Sequence, residues 1–506
     1  MSGWLWVASG VLLTVSAVVV YDLLQRRHAI LRNFPVIGHF RYLLELVGPE
    51  LRQYVVTSNN EERPFSRDQR RWVYATSKQQ NPYFGYGTDT DLEFDSQTLI
   101  IQHATLPPLF EASAEKHSPL PCAKVIGAAR RRRHAFRPPS LVNVSGMSFG
   151  SLSARAVEAL NRGAQLAGCL QNTGEGGVSR YHQHGADLVF QLATACFGCR
   201  DAAGNFELSR LVDLVETHPI RAIEIKLSQG AKPGIGGFLP GAKVTDEIAE
   251  ARGIPVGRDC RSPARNPNFR DADSLLDFAE EIAAATGLPV GLKSAVGEMK
   301  FWQELADCMV GGTRGVDFIN IDGGEGGTGA GPLVFTDHVA LPFKLGFSRV
   351  YRIFAERALV DDIVFGGSGK LGFPAQALLA TGLGCDWIHV GREAMLAIGC
   401  IQAQRCHTGH CPTGVATQNR WLMGGLDPTH KGARLANYLV NLRMELQRLA
   451  HACGVAHPAL VPLERLEILT PRFHGRTASE VFGYKNGWGL PGPADRQALE
   501  ADVHPG

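Results

Sequence analysis

Cys400, Cys406 and Cys411, in the stretch CIQAQRCHTGHCPTG, are separated by five and four residues. Thiolates grouped this closely point first to metal ligation. Three of them can hold an iron–sulfur cubane with one corner left without a protein ligand, or, with His407 or His410, a Cys₃His zinc site. A second chemistry sits in GLKSAVG, where Lys293 lies inside an apolar strand. An unpaired ammonium there is costly. It either leans over an electron-accepting ring such as a flavin's, stabilising the reduced anion, or is buried in an ion pair with Glu224 or Glu175. A third sits where glycines follow apolar runs. Gly366 and Gly367 in GGSGKLG, and Gly391 and Arg392 in GRE, stand where helix N-termini open toward an anion. A flavin mononucleotide, a sugar phosphate or a nucleotide would fit equally, and tight-turn chemistry alone also explains such glycines.

These groups need elements to position them. From Leu141 onward, short runs rich in Val and Ile alternate with Gly-rich turns and amphipathic stretches. The strands read as 142–145, 169–172, 188–192, 222–227, 289–294, 317–322, 362–367 and 386–391. Eight βα units suggest a TIM (β/α)₈ barrel, whose chemistry belongs at the strand C-termini. The alternative, a doubly wound sheet, lacks a GxGxxG after its first strand with an acid about twenty residues on. The segment 241–287 between the fourth and fifth strands reads as an insertion with more than one helix, covering the mouth.

Lys and Arg total 51 against 49 Asp and Glu, so no charge surplus steers the chain onto nucleic acid. Trp4 to Tyr21 runs without a charge, and Arg26, Arg27, His28 and Arg32 follow it. That pattern reads as an uncleaved single-pass anchor in the inner (cytoplasmic) membrane with the body in the cytoplasm; a buried core helix is the alternative. Eleven cysteines in a cytoplasmic body argue for thiols or metal ligands over disulfides. The expected organisation is anchor and basic flank 1–28, an irregular N-terminal extension 29–135, the barrel 136–425 and a C-terminal helical extension 426–506. The arginines Arg130 to Arg133 read as a solvated surface or a contact for anionic lipid.

The segments GMSFGSLS, NTGEGG, KLSQGAKPGIGGFLPGAKV, GLKSAVG, IDGGEGGTGAGP, GGSGKLG and CIQAQRCHTGHCPTGVATQ resemble, in order, the synthase domain of glutamate synthase, over roughly residues 140–420. The resemblance implies a TIM barrel carrying FMN and a [3Fe–4S] cluster, which reduces 2-iminoglutarate, formed from 2-oxoglutarate and ammonia, to L-glutamate. Matched position by position, it implies Cys400, Cys406 and Cys411 as cluster ligands and Lys293 against the flavin. Gly366, Gly367, Gly391 and Arg392 would cradle its phosphate. Ser145, Gly146, Met147, Asn172, Gly323 and Gly324 would line the cofactor. Glu175 would orient ammonia or the imine, or pair with Lys226 or Lys232. Those two lysines would hold the oxo-acid carboxylates, although Lys226 could equally partner Glu224.

The departures also carry expectations. A membrane anchor stands where a complete glutamate synthase begins with its glutaminase, so nitrogen is expected from free ammonia or a separate glutaminase subunit. Electrons are expected from an electron-donor protein or a reductase subunit. The family's C-terminal β-helix domain is not expected in the residues after the cysteine motif. Ile235 stands where the family has an acid, and CRSPARNPNF (260–269) replaces a proline- and histidine-rich stretch. Related outcomes are an amine-transfer subunit of the N-methylglutamate synthase type and a membrane-tethered electron-transfer partner without catalysis. Cys196 and Cys199 form a CxxC with no matching second pair.

Overall fold

The computed structural model describes residues 3–25, 29–51, 61–88, 90–92, 97–108, 120–312, 314–470 and 474–501. The basic positions Arg26, Arg27 and His28 lie outside them. The chain divides into a unit of residues 1–71 and a unit of residues 72–506.

The smaller unit contains helix α1, Gly3–Leu24, and helix α2, Ile37–Leu51, joined through a short helix Ala29–Asn33. α1 is long and apolar enough to cross a membrane, and nearly all of its side chains are exposed.

The larger unit is a closed parallel barrel of eight strands. They are β1 (Val142–Val144), β2 (Gln171–Asn172), β3 (Leu188–Leu192), β4 (Ile220–Lys226), β5 (Val290–Ser294), β6 (Phe318–Asp322), β7 (Val364–Ser368) and β8 (Trp387–Val390), with β8 pairing back onto β1. Each coincides with an expected strand to within about two residues, because apolar runs bounded by turn residues mark buried parallel strands. The helices between them start and stop on local signals. Ser153 accepts from the Ala156 amide to cap Ala154–Ala167, and Asp271 with Ser274 forms a capping box on Ala272–Thr286.

The insertion after β4 holds the helices Asp246–Arg252 and Ala272–Thr286, as expected. It also holds a short antiparallel pair, Phe238–Leu239 with Cys260–Arg261.

Side chains alternate along each strand, so the barrel interior is layered. Its floor is apolar: Leu170, Val189, Ala222, Phe318, Val364 and Trp387 pack with Cys122 and Ile126 from the segment preceding β1. Glycines make room for the large rings above them. A Cβ at Gly291 would lie 2.3 Å from the Phe318 ring, and one at Gly366 1.8 Å from Asn320 Oδ1 and 2.3 Å from the Trp387 indole nitrogen.

Part of the arginine run is tied into this floor, while Arg131 and Arg133 are exposed. Arg132 pairs with Asp317 at 2.9 Å and Glu280 at 2.6 Å, Arg130 lies 3.9 Å from Asp317, and Arg133 donates to the Thr286 carbonyl. A segment that reads as charged surface is thus partly an electrostatic closure of the barrel bottom.

Candidate functional site

One layer above the floor, the Glu224 carboxylate is buried at 1 % exposure. It accepts from Asn172 Nδ2 at 2.8 Å, Gln191 Nε2 at 2.6 Å and Asn320 Nδ2 at 2.5 Å. Three amide donors satisfy a buried carboxylate without a cation in contact. Glu224 therefore does not partner Lys226. The Asn172 Oδ1 accepts from the Gly174 amide at 2.9 Å and lies where a Cβ on Gly146 would come within 2.7 Å, so the β1 loop rests directly on this layer. His389, on β8, is buried with Nε2 lacking a partner, as are Asn320 Oδ1 and Trp387 Nε1. Burial pushes the His389 pKa down to about 4, so the ring is neutral near pH 7.

At the mouth the register sets Lys226 of β4 beside Lys293 of β5. Two ammoniums at one level repel, and each has its own carboxylate. Lys226 donates to Glu175 Oε2 at 2.9 Å and to Gln229 Oε1 at 2.7 Å. Lys293 lies 3.6 Å from Asp322 Oδ2. The Lys226 ammonium, opposed by burial, holds the Glu175 carboxyl down to about 2. Burial works against charge on Lys293, but Asp322 and Glu224 outweigh it and keep its pKa above the ordinary lysine value. Lys232 joins the group: burial lowers its pKa, with Glu175 opposing and Lys226 adding to that shift. Glu175, Lys226, Lys232 and Lys293 are thus brought together at one end of the barrel.

Asp322 is the residue that sequence reasoning missed. It also accepts from the Gly230 amide at 2.9 Å and the Ser368 hydroxyl at 2.6 Å, tying the loops after β4, β6 and β7 together. The available signal was the alternation Phe318, Asn320, Asp322 on β6, which turns all three inward.

The glycines divide by role. Gly366 and Gly323 are closely packed: a Cβ on Gly323 would meet Glu325 and Phe343 within 2.6 Å, and one on Gly367 would meet Phe343 at 2.5 Å. A Cβ on Gly324 would approach the Ala340 carbonyl at 2.9 Å. Gly391 is different, since the nearest atom to a Cβ there is Ser145 Cβ at 3.6 Å. Ser145 is buried and donates its amide to Val390, while Met147 beside it is half-buried. Arg392 reaches across the mouth to the Glu325 carbonyl. Arg265, a further cation in the insertion, is exposed.

The cysteine loop follows β8 after the helix Arg392–Ile398. Burial opposes ionisation of Cys411, but the amides of Ala416, Thr413 and Val415 and the Thr413 hydroxyl outweigh it and hold the thiol below its ordinary pKa. Cys406 is raised by burial and by Cys411. Among the described residues, no three His, Cys, Asp or Glu side chains are gathered closely enough to hold a metal ion. Cys196 and Cys199 are buried thiols whose pKa values burial raises, which disfavours the reactive thiolate.

A family model described as a conserved region in glutamate synthase matches residues 110–456. A glutamate synthase large subunit-like protein of Bacillus subtilis is 36 % identical over 474 residues, covering 87 % of this chain and 90 % of that protein. An archaeal glutamate synthase [NADPH] of Methanocaldococcus jannaschii is 35 % identical over 318 residues, covering 62 % of this chain and 59 % of that protein. A glutamate synthase large subunit-like protein of Rhizobium meliloti is 32 % identical over 345 residues, covering 64 % of this chain and 74 % of that protein. The chain thus spans well under two thirds of the archaeal relative's length.

Proposed function

The chain belongs to the glutamate synthase family, and from that premise we propose that it is an FMN-dependent oxidoreductase that reductively aminates 2-oxoglutarate, or a closely related oxo-acid, to the amino acid. The carrying observation is the convergence of Lys226, Lys232 and Lys293 with Glu175 and Asp322 at the barrel mouth. An oxo-acid dianion needs cations there, and the imine nitrogen needs an acceptor.

The mouth suits FMN. Lys293 is a cation that donates no hydrogen bond within 3.5 Å among the described residues. The Ser145–Met147 backbone and the space at Gly391 belong to the same end of the barrel, and His389 Nε2 is a buried polar atom without a partner. Lys293, Ser145, Gly146, Met147, Asn172, Gly391 and Arg392 would hold the cofactor. The tight packing at Gly323, Gly366 and Gly367 leaves those residues to contribute backbone only. FMN, when bound, supplies two electrons for reduction of a C=N bond.

The chain's own residues do the rest. Lys226 and Lys232 hold the carboxylates of the oxo-acid. Glu175, ionised at any pH well above about 2, accepts a hydrogen bond from ammonium and then from the iminium. Ammonia condenses on the 2-oxo group with loss of water, and two electrons and two protons convert the 2-imino acid to the amino acid. Free ammonia or a separate glutaminase subunit supplies nitrogen, and an electron-donor protein or reductase subunit supplies electrons.

Cys400, Cys406 and Cys411 keep the family's ligand spacing and are proposed to carry [3Fe–4S]. Cys406 and Cys411 lie close enough to raise the Cys406 pKa, but the three thiols are not gathered into one set among the described residues, and no step is derived through a cluster. Iron and acid-labile sulfide in protein prepared without air test that assignment; stoichiometric zinc without either removes it. α1, 22 residues and about 33 Å long, is proposed as a membrane span with the catalytic body on the cytoplasmic side.

The function is tested by anaerobic photoreduction of the purified protein followed by 2-oxoglutarate and ammonium. Reoxidation of the flavin with formation of L-glutamate supports it. Flavin that stays reduced with every oxo-acid tried overturns it.

A further inference from the structure

We propose that α2 is a membrane-surface helix, lying in the lipid interface with its apolar face in the acyl boundary, so that the membrane contact extends beyond α1. The inference rests on the reading of α1 as membrane-embedded.

At 3.6 residues per turn, Ile37, Phe40, Leu44, Val47 and Leu51 share one face of α2. That face is unpartnered: Ile37 is 77 % exposed and Phe40 62 %, and Leu44, Val47 and Leu51 are exposed as well. Phe34, in the turn before the helix, is 61 % exposed. A contiguous apolar face of this kind needs an occupant.

Three observations select lipid. The first is continuity with α1, whose exposed side chains are mostly apolar along its length. The second is a tie between the helices. Asp22, near the C-terminal end of α1, is fully buried and accepts from the Val36 amide at 2.9 Å and from His39 Nε2 at 2.9 Å. This fixes the start of α2 beside the end of α1, which is the level of the bilayer boundary if α1 spans. It also supplies partners to a carboxylate that would be costly alone at that depth. The tie leaves the apolar face free, because His39 falls outside the stripe on the helical wheel.

The third observation is length. α2 has 15 residues, about 22 Å, short of the roughly 30 Å hydrocarbon thickness. It also carries Arg41, Glu45 and Glu50. A helix too short and too charged to cross, with its widest apolar stripe on one side and Leu43 and Leu46 exposed beside and opposite it, lies in the plane of the interface.

The test uses the full chain reconstituted in phosphatidylcholine–phosphatidylglycerol vesicles. The photocrosslinker p-benzoylphenylalanine replaces Phe40, Val47, Arg41 or, as the α1 control, Leu13. Lipid adducts at Phe40 and Val47 matching the Leu13 yield, and severalfold fewer at Arg41, are expected. Lipid adducts at Leu13 with none at Phe40 and Val47, or adducts there to polypeptide in their place, overturn the surface helix and leave the anchor standing. Absence of lipid adducts at all four positions overturns the anchor and the surface helix together.

Discussion

The two ends of the barrel each hold a buried lysine–aspartate pair, and the pairs are finished differently. At the floor, Lys124 spends all three of its donors: Val360 O at 2.8 Å, Ile363 O at 3.1 Å and Asp386 Oδ2 at 3.0 Å. Asp386 also accepts from the Phe365 amide at 2.8 Å. At the mouth, Lys293 has a looser contact, 3.6 Å to Asp322, while Asp322 is satisfied by other donors. A saturated ammonium is a structural group. One held by a single loose contact, beside a second lysine, is free to take a further acceptor. The same residue types thus close the barrel at one end and, in the proposed function, recognise a ligand at the other, and what separates them is hydrogen-bond accounting, not charge.

The largest effect is expected at the floor. Asp386→Ala leaves the Lys124 ammonium buried without its counter-charge, which costs about 3–5 kcal/mol. A urea midpoint close to that of the parent would show that the floor pair is not structural. Next comes the mouth. Glu175→Gln removes the ionised acceptor and is expected to lower glutamate formation about a hundredfold, with a far smaller shift in the urea midpoint than Asp386→Ala. A variant that loses stability and activity in proportion would make Glu175 a second structural group and erase the contrast.

A smaller change is expected from Lys293→Ala. Loss of the cation disfavours the reduced, anionic ring by roughly 1–2 kcal/mol, read as a lower flavin potential or weaker flavin retention. Folding stability falls less than at the floor, because Asp322 keeps the Gly230 amide and Ser368 hydroxyl. An unchanged potential in a folded variant returns Lys293 to structure.

The effect of each single group is smallest for the pH dependence of the buried histidines. Burial depresses His182, His389 and His457 to about 4. Between about 6.5 and 4 the unfolded chain binds protons that the folded chain refuses, so stability falls as pH falls. Each histidine contributes up to about 1.4 kcal/mol per pH unit there. Glu175, held down to about 2, adds its loss only below the ordinary carboxylate range. Urea midpoints measured from pH 7 to 4 check this: His389→Gln should flatten the slope, and an unaltered slope would mean that His389 is not buried neutral.

Much of the mouth was legible. Lys293 in an apolar strand, the glycine loops and Glu175 in NTGEGG all lie at strand ends, where period and turn residues mark them. Asp322 was hidden inside DGGEGG, whose glycines drew attention to backbone. Glu224 was visible as an acid, yet its three partners come from three other strands, and amides carry no signal of pairing. At Gly366 the sequence could not show the packing, because a GG after a strand does not announce that a Cβ there would meet Asn320 and the Trp387 indole.

The chain's order of apolar runs, turns and caps by itself determined the barrel, its strand positions and the end at which the chemistry collects, because those follow from local periodicity and chirality. Only the closed barrel decided which charges meet. Lys124 and Asp386 are 262 residues apart, and Lys226 and Glu175 are 51 apart. Partners at such separations are chosen by register and burial, since a charge taken out of water must find whatever counter-charge the fold brings within reach.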